Sequence, residues 1–198
     1  QAAKAKRAVA GLDGKAFGLH VITALTGAND SSQYIAAIGY ASLLGPREES
    51  VKIEVGLREP LLTPTIQGEA RTLLLDPVSG SPGVDPFRLP CLSRQEAMAE
   101  KLRAALSRRE VAVRDFYDVD HAVRRLGLRL QDPEFVHLVR EKLAVPGQAP
   151  VDVSAARRSA LRLQVESQLR PVLRDRDFAQ FDLERAFASV VELAAALG

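Results

Sequence analysis

The chain has 198 residues, a length that fits one large domain or two small ones. Hydrophobic residues make up 46% and charged residues 26%, values that exclude a disordered, collagen-like or low-complexity protein. The formal net charge is only +2, so overall charge does not indicate a nucleic-acid partner. Arginine accounts for 21 of the 27 basic residues. This enrichment permits phosphate contacts, and it is equally typical of a GC-rich genome.

Cysteine content and hydropathy indicate the compartment. The single cysteine, Cys91, excludes an internal disulfide and suits a reducing environment, so we expect a cytoplasmic location. No uninterrupted apolar run reaches the length of a membrane span, so we expect no membrane contact. The chain begins at Gln1 rather than at an initiator Met, and we expect it to be an N-terminally truncated piece of a longer protein.

The first part of the chain predicts a small sheet. Residues 17–25 and 33–44 are rich in apolar and β-branched side chains and are bounded by turn residues at 27–30 and 45–46. Residues 51–55 alternate strictly, which predicts a strand with Lys52 and Glu54 on its polar face. Residues 69–75 predict a further strand, and the proline-rich residues 76–90 predict a loop or linker.

The rest of the chain predicts helices. Ser93 and Glu96 form a capping box that opens a helix to about residue 108. A second helix is predicted over about 113–126, and a third begins after Asp132, with Pro133 at its first position. Two more helices are predicted near 155–169 and 183–197. The predicted fold class is α+β: a partial mixed sheet domain over 1–92 and a helical bundle domain over 93–198.

Three cations lie at heptad spacing along the first of these helices. Arg94, Lys101 and Arg108 follow the edge of the apolar stripe that contains Leu102 and Ala105. One interpretation is a basic column that faces a cleft and binds phosphates. The alternative is that these long side chains extend to solvent at the helix margin.

Carboxylates are dense at the start of the second helix. Asp118 and Asp120 imitate a metal-binding Asp-x-Asp, but on a helix their side chains point about 200° apart, so we do not predict a metal pair there. Asp115 lies where an acidic residue offsets the helix dipole, and this capping role is the alternative to a functional one.

Few other residues suggest chemistry. Glu54 is a candidate to help hold Mg²⁺, and the alternative is a solvent-exposed ion pair with Lys52. The three histidines show no ligand spacing with Cys91, so no zinc site is predicted. Gly80-Ser81 is followed by Pro82 instead of a helix, unlike a phosphate-binding turn.

The block of residues 99–118 resembles a known family. Its run AEKLRAALSR, followed by Arg114-Asp115-Phe116-Tyr117-Asp118, is similar to the EKLRAL…R…RDxYD signature of the AbiEii/AbiGii nucleotidyltransferase toxins. The similarity extends over about residues 33–130, and the strand at 51–55 fits a late strand of that family's catalytic domain.

The resemblance implies a polymerase-β-like nucleotidyltransferase. It would place Lys101 and Asp115 in the catalytic machinery, and Arg94, Arg108 and Arg114 on the phosphates of a nucleoside triphosphate. Glu54 matches the third metal-binding acid by position. The implied cofactor is Mg²⁺, and the implied partners are the nucleoside triphosphate, tRNA as an acceptor and a cognate antitoxin protein.

The sequence also departs from the family pattern. A Gly-Ser turn and an Asp-x-Asp strand are expected upstream, and residues 1–50 contain neither. Because Glu54 alone cannot hold two metal ions, we expect this chain alone to be inactive. Either the upstream lobe belongs to the full-length protein, or the chain is a degenerate relative. The competing hypothesis is a non-catalytic helical module that binds an antitoxin or RNA through its arginines.

Overall fold

A computed structural model describes residues 2–11, 19–28, 33–41, 47–57 and 59–198 of the chain. The turn predicted at 45–46, and parts of the predicted segments 17–25, 27–30 and 33–44, lie outside these described residues. The chain divides into two compact units, Gln1–Pro60 and Leu61–Gly198. The predicted division of the family domains at residue 92 stays a prediction.

The described residues of the first unit form a three-stranded sheet and one helix. Helix α1 (Ala2–Ala10) precedes β1 (His20–Ala28), β2 (Gln33–Ala41) and β3 (Glu48–Gly56). The strands pair antiparallel in the order β1-β2-β3, and β2 pairs with β3 along its whole length. The apolar core of the unit consists of Val9, Leu25, Ala36 and Ile38.

The alternation predicted for residues 51–55 is present in β3. Ile53 and Val55 pack against the apolar core, and Lys52 and Glu54 are exposed. Val51 is half exposed, because the core lies on α1, β1 and β2 and reaches β3 only at Ile53 and Val55.

The second unit begins with a two-stranded sheet that differs from the predicted strand at 69–75. Strand β4 (Ile66–Ala70) pairs antiparallel with β5 (Phe87–Cys91). Residues 71–75 follow β4 as a mostly exposed segment in which Leu73 is 98% exposed and Leu75 forms only an isolated bridge with Pro82. The prediction was wrong at these positions because an apolar run forms a strand only where a partner strand supplies hydrogen bonds. That partner lies opposite 66–70, inside the segment predicted as a loop.

The helices follow the local signals closely. Helix α2 (Arg94–Ser107) starts at Ser93, whose hydroxyl accepts from the Glu96 amide. Helix α3 (Val113–Leu126) ends at Gly127, whose left-handed backbone (φ 67°) favours glycine. Helix α4 (Pro133–Leu143) starts at Asp132, which accepts from the Glu134 amide. These three helices agree with their predicted bounds.

The last part of the helical region departs from the prediction after α5 and in the additional short helix α6. Helix α5 (Ala155–Gln164) continues as a π-helical turn (Val165–Leu169) and a 3-10 turn (Arg170–Val172) instead of remaining α-helical to residue 169. The short α6 (Asp175–Phe178) precedes α7 (Leu183–Leu197). No described helix is long and apolar enough to cross a membrane.

The core of the second unit lies between its helices. Phe116 of α3 stacks on Phe187 of α7, with 5.9 Å between the ring centroids. Leu102 and Ala105 of α2 are fully buried, as the predicted apolar stripe requires. The described strands and helices confirm the α+β class.

Candidate functional site

Cations of α2 pair with carboxylates of α3. Lys101 Nζ lies 2.7 Å from Asp118 Oδ2, and Arg108 Nη1 donates to Asp115 Oδ2 at 3.0 Å. Lys101 lies on α2 and Arg108 is the residue that caps its C-terminal end, whereas the two acids are one turn apart on α3, so both ion pairs connect the same two helices. The two residues that the resemblance places in the catalytic machinery, Lys101 and Asp115, therefore belong to two separate ion pairs.

Asp115 is a buried carboxylate in the first turn of α3. Its side chain is 4% exposed, whereas that of Arg108 is 40% exposed. The N-cap residue of α3, Ala112, offers no side-chain acceptor, so the negative charge of Asp115 also offsets the helix dipole. Asp115 therefore has the first-turn position that the capping interpretation describes and also pairs with Arg108, and its functional role stays a prediction.

A groove of about 890 Å³ opens beside the loop that joins α2 to α3, and we call it the arginine groove. Arg108, Arg109 and Arg114 line it together with one carboxylate, Glu110. Arg109 and Arg114 are exposed, and neither side chain has an ion pair or hydrogen bond with any residue that the structure describes. Two of the three predicted phosphate ligands, Arg108 and Arg114, thus share one concave and cationic surface.

The arginine groove is closed on its other side by the end of α5. Its remaining lining residues come from the loop, from α3 and from the segment after α5: Val111, Ala112, Val113, Gln164, Gln168 and Val172. Residues 155–169 attracted no functional interpretation in the sequence. The available signal was the polar pair Arg157 and Gln164, which lie on one face of the predicted helix at heptad spacing.

Arg94, the third predicted phosphate ligand, lies elsewhere. It lines a cavity of about 190 Å³ together with Arg129 and the apolar side chains of Met98 and Phe135. Arg94, Lys101 and Arg108 therefore have three different environments instead of forming one basic column: a cavity, an ion pair with α3, and the arginine groove.

Glu54 belongs to the first compact unit, where its carboxylate forms an ion pair with Lys52. Among the described residues, no group of three or more His, Cys, Asp or Glu side chains could hold a metal ion. A single carboxylate already bound to an ammonium group does not fit a site for Mg²⁺, so we derive no reaction step through a metal. The role of Glu54 as a metal ligand stays a prediction.

The two acids of the apparent Asp-x-Asp diverge, as the helical spacing predicts. Asp118 contacts Lys101. Asp120 is buried and accepts hydrogen bonds from Arg124 of its own helix and from Arg185 of α7. The helix thus directs the two carboxylates to separate partners.

Sequence reasoning missed a buried charge cluster on α2. Glu96 was expected to complete the capping box, but its carboxylate accepts from the backbone amides of Leu62 and Thr63, from the Thr63 hydroxyl, and from Lys142 of α4. Lys142 also donates to Glu100. Burial alone raises the pKa of Glu96, but these four hydrogen bonds outweigh it and lower the pKa to about 2. The cluster is stabilised as a set of charged groups.

Comparison with known proteins gives two matches. A family model described as "Nucleotidyl transferase AbiEii toxin, Type IV TA system" matches residues 3–192. A crystal structure of a candidate nucleotidyltransferase from H. pylori is 13% identical and covers 90% of this chain, with a TM-score of 0.44. The chain spans 66% of the length of that protein. None of the curated proteins matches.

Proposed function

The chain belongs to the AbiEii family of nucleotidyltransferase toxins, and on that premise we propose that the intact protein transfers a nucleotide from a nucleoside triphosphate to an acceptor. The proposed acceptor is tRNA, and the proposed setting is a cytoplasmic toxin–antitoxin or phage-defence system with a cognate antitoxin. In the transfer, an acceptor hydroxyl oxygen bonds to the α-phosphorus, the hydroxyl proton passes to solvent, and pyrophosphate leaves.

The arginine groove is the observation that carries this proposal. A guanidinium group remains charged and binds phosphate oxygens in a bidentate manner. Arg109 and Arg114 have no competing partner among the described residues, and the buried Asp115 orients Arg108. We assign the triphosphate to this groove, where three guanidinium groups outnumber the single carboxylate of Glu110.

Lys101 and Asp115 have different roles in the proposal. The Lys101 side chain is 44% exposed, so its ammonium group can leave Asp118 and bind a phosphate oxygen at little desolvation cost. Asp115 is buried against Arg108 and therefore acts by orienting that guanidinium. Asp115 thus supplies positioning and Lys101 supplies positive charge, and these two effects account for most of the catalysis of phosphoryl transfer.

A transfer assay tests the proposed function. Full-length protein is incubated with labelled nucleoside triphosphates, Mg²⁺ and bulk tRNA, and label on the RNA is measured. We expect transfer by the unmodified protein and a loss of roughly 100-fold in Lys101→Ala, a typical effect of removing one charge that stabilises the transition state. Lys4→Ala is the matched control, because Lys4 is exposed in the first unit and has no assigned role.

Three outcomes would count against the proposal. If the full-length protein transfers no label under these conditions, nucleotidyl transfer to tRNA is wrong. If it binds the RNA without transferring label, the non-catalytic module is the better description. Equal activity of Lys101→Ala and Lys4→Ala would remove Lys101 from the catalytic machinery.

A further inference from the structure

We propose that Gln164, assisted by Arg157, is a positioning residue that holds the arginine-bearing loop in the geometry that binds the triphosphate. This inference rests on the proposed function, because it concerns the same arginine groove. It adds that triphosphate binding requires two residues of α5, a helix that carries none of the predicted site residues.

Gln164 makes a two-point contact with the loop backbone. Its side-chain oxygen accepts from the Val113 amide at 2.9 Å, and its side-chain nitrogen donates to the Val111 carbonyl at 2.9 Å. Val113 is the first residue of α3, and its amide would otherwise lack a partner because Ala112 cannot cap the helix. One amide side chain thus satisfies both backbone groups and fixes the entry into α3.

Arg157 makes a similar contact one heptad earlier. Its side chain is 5% exposed and donates to the Ala105 and Arg108 carbonyls, at 2.9 and 3.0 Å, at the end of α2. These carbonyls belong to the last turn of the helix, where a buried cation also interacts favourably with the helix dipole. Arg157 and Gln164 together therefore attach α5 to both ends of the loop.

The attached loop is the part of the arginine groove that contains its cations. Arg108, Arg109 and Arg114 lie on or next to the backbone held by the two side chains. Gln164 is also the last residue before the π-helical turn, a distortion that occurs frequently at functional sites. A loop that is ordered before the ligand arrives avoids the entropic cost of ordering it on binding, so loss of Gln164 should weaken phosphate binding.

The test measures binding of inorganic tripolyphosphate to the full-length protein, a probe that is independent of the base and of the acceptor. Gln164→Met keeps the length and apolar packing of the side chain and removes both hydrogen bonds. We expect the dissociation constant to rise about tenfold in Gln164→Met. Gln131→Met, the same exchange at an exposed loop position, should leave it unchanged.

A double variant separates positioning from general structural damage. If Gln164 acts through the arginines, Gln164→Met should weaken binding less in an Arg114→Ala background than in the unmodified protein. Hydrogen exchange at the Val113 amide should be faster in Gln164→Met. If that variant does not fold, Gln164→Asn, which withdraws the amide group by one methylene, replaces it with the same expectations.

The outcomes distinguish the two proposals. Unchanged tripolyphosphate binding in a folded Gln164→Met protein overturns the positioning role and leaves the arginine groove intact. The positioning role is also overturned if Gln164→Met weakens tripolyphosphate binding equally in the unmodified protein and in Arg114→Ala, because the effect would then not depend on Arg114. If the unmodified protein does not bind tripolyphosphate, the groove is not the triphosphate site and both assignments fall, whereas faster exchange at Val113 would still show the structural contact.

Discussion

The carboxylate of Glu96 in the second unit accepts four hydrogen bonds. It is fully buried, and an isolated carboxylate in such a position would be very costly. Three hydrogen bonds from residues 62 and 63, together with the ammonium group of Lys142, satisfy it. The Lys142 ammonium is itself fully buried, and its hydrogen bonds to Glu96 and Glu100 outweigh the effect of burial and raise its pKa. The cluster joins α2, α4 and the segment before β4 at one point.

The lowered pKa of Glu96 predicts an acid-sensitive contribution to stability. Because its folded-state pKa is about 2, against 4.5 for an unperturbed glutamate, the contribution is fully present above pH 4.5 and is lost as the pH falls towards 2. The shift corresponds to about 3 kcal/mol. We expect Glu96→Gln to be less stable at pH 7 and to lose less stability between pH 7 and pH 3 than the unmodified protein.

Urea denaturation over this pH range measures the effect, with the exposed Glu192→Gln on α7 as control. Parallel stability curves for Glu96→Gln and the unmodified protein would contradict the assigned role of the Glu96 carboxylate.

At the scale of elements, Asp120 joins α3 to α7. Its buried carboxylate receives two hydrogen bonds from the Arg185 guanidinium, at 2.7 and 3.1 Å, and one from Arg124. Such bidentate pairs are among the stronger charge-assisted contacts in proteins. The pair supplements the apolar contact of Phe116 with Phe187 between the same two helices.

We expect Asp120→Ala to lower the free energy of unfolding by about 2 kcal/mol, because the buried acceptor is lost while the half-exposed Arg185 regains water. Asp175→Ala is the matched control: that acid pairs with Arg170 but is 91% exposed, so its removal should cost less than about 1 kcal/mol. Urea midpoints of the two variants provide the comparison. Equal midpoints would show that burial of Asp120 adds nothing to its ion pairs.

At the scale of the whole molecule, the hydrogen bonds of Glu96 cross the predicted domain boundary at residue 92. A fragment of residues 61–198 keeps the Leu62 and Thr63 donors, whereas a fragment of residues 93–198 loses them. We expect the shorter fragment to be less stable by about 3 kcal/mol, because it loses the three hydrogen bonds that Leu62 and Thr63 donate to Glu96, each of which contributes about 1 kcal/mol. Thermal and urea unfolding of both fragments measure this difference. Equal stability would support a helical domain that begins at residue 93.

Local signals in the sequence were sufficient to predict most of the helices and the strand at 51–55. Caps such as Ser93 and Asp132, and the periods of 3.6 and 2 residues, depend on neighbouring positions only, and the structure contains these elements where predicted. The segment 69–75 was predicted wrongly because strand pairing depends on a distant partner. The π-helical turn after α5 likewise had no local signal that distinguishes it from an α-helix.

For the candidate site, too, some features could be predicted from the sequence and others were decided only by the tertiary structure. The sequence pointed to Lys101, Arg108, Arg114 and Asp115 because they lie in or beside the block that resembles the AbiEii/AbiGii toxins, and their roles stay a prediction. Folding selected the partners: Asp118 for Lys101, the buried Asp115 for Arg108, and a separate cavity for Arg94. The contacts of Gln164, Arg157 and Lys142 join residues about fifty positions apart, and only the packing of α5 against the α2–α3 loop, and of α4 against α2, brings them together. No local pattern specifies such contacts, because hydrogen bonds between helices depend on where each helix crosses its neighbours.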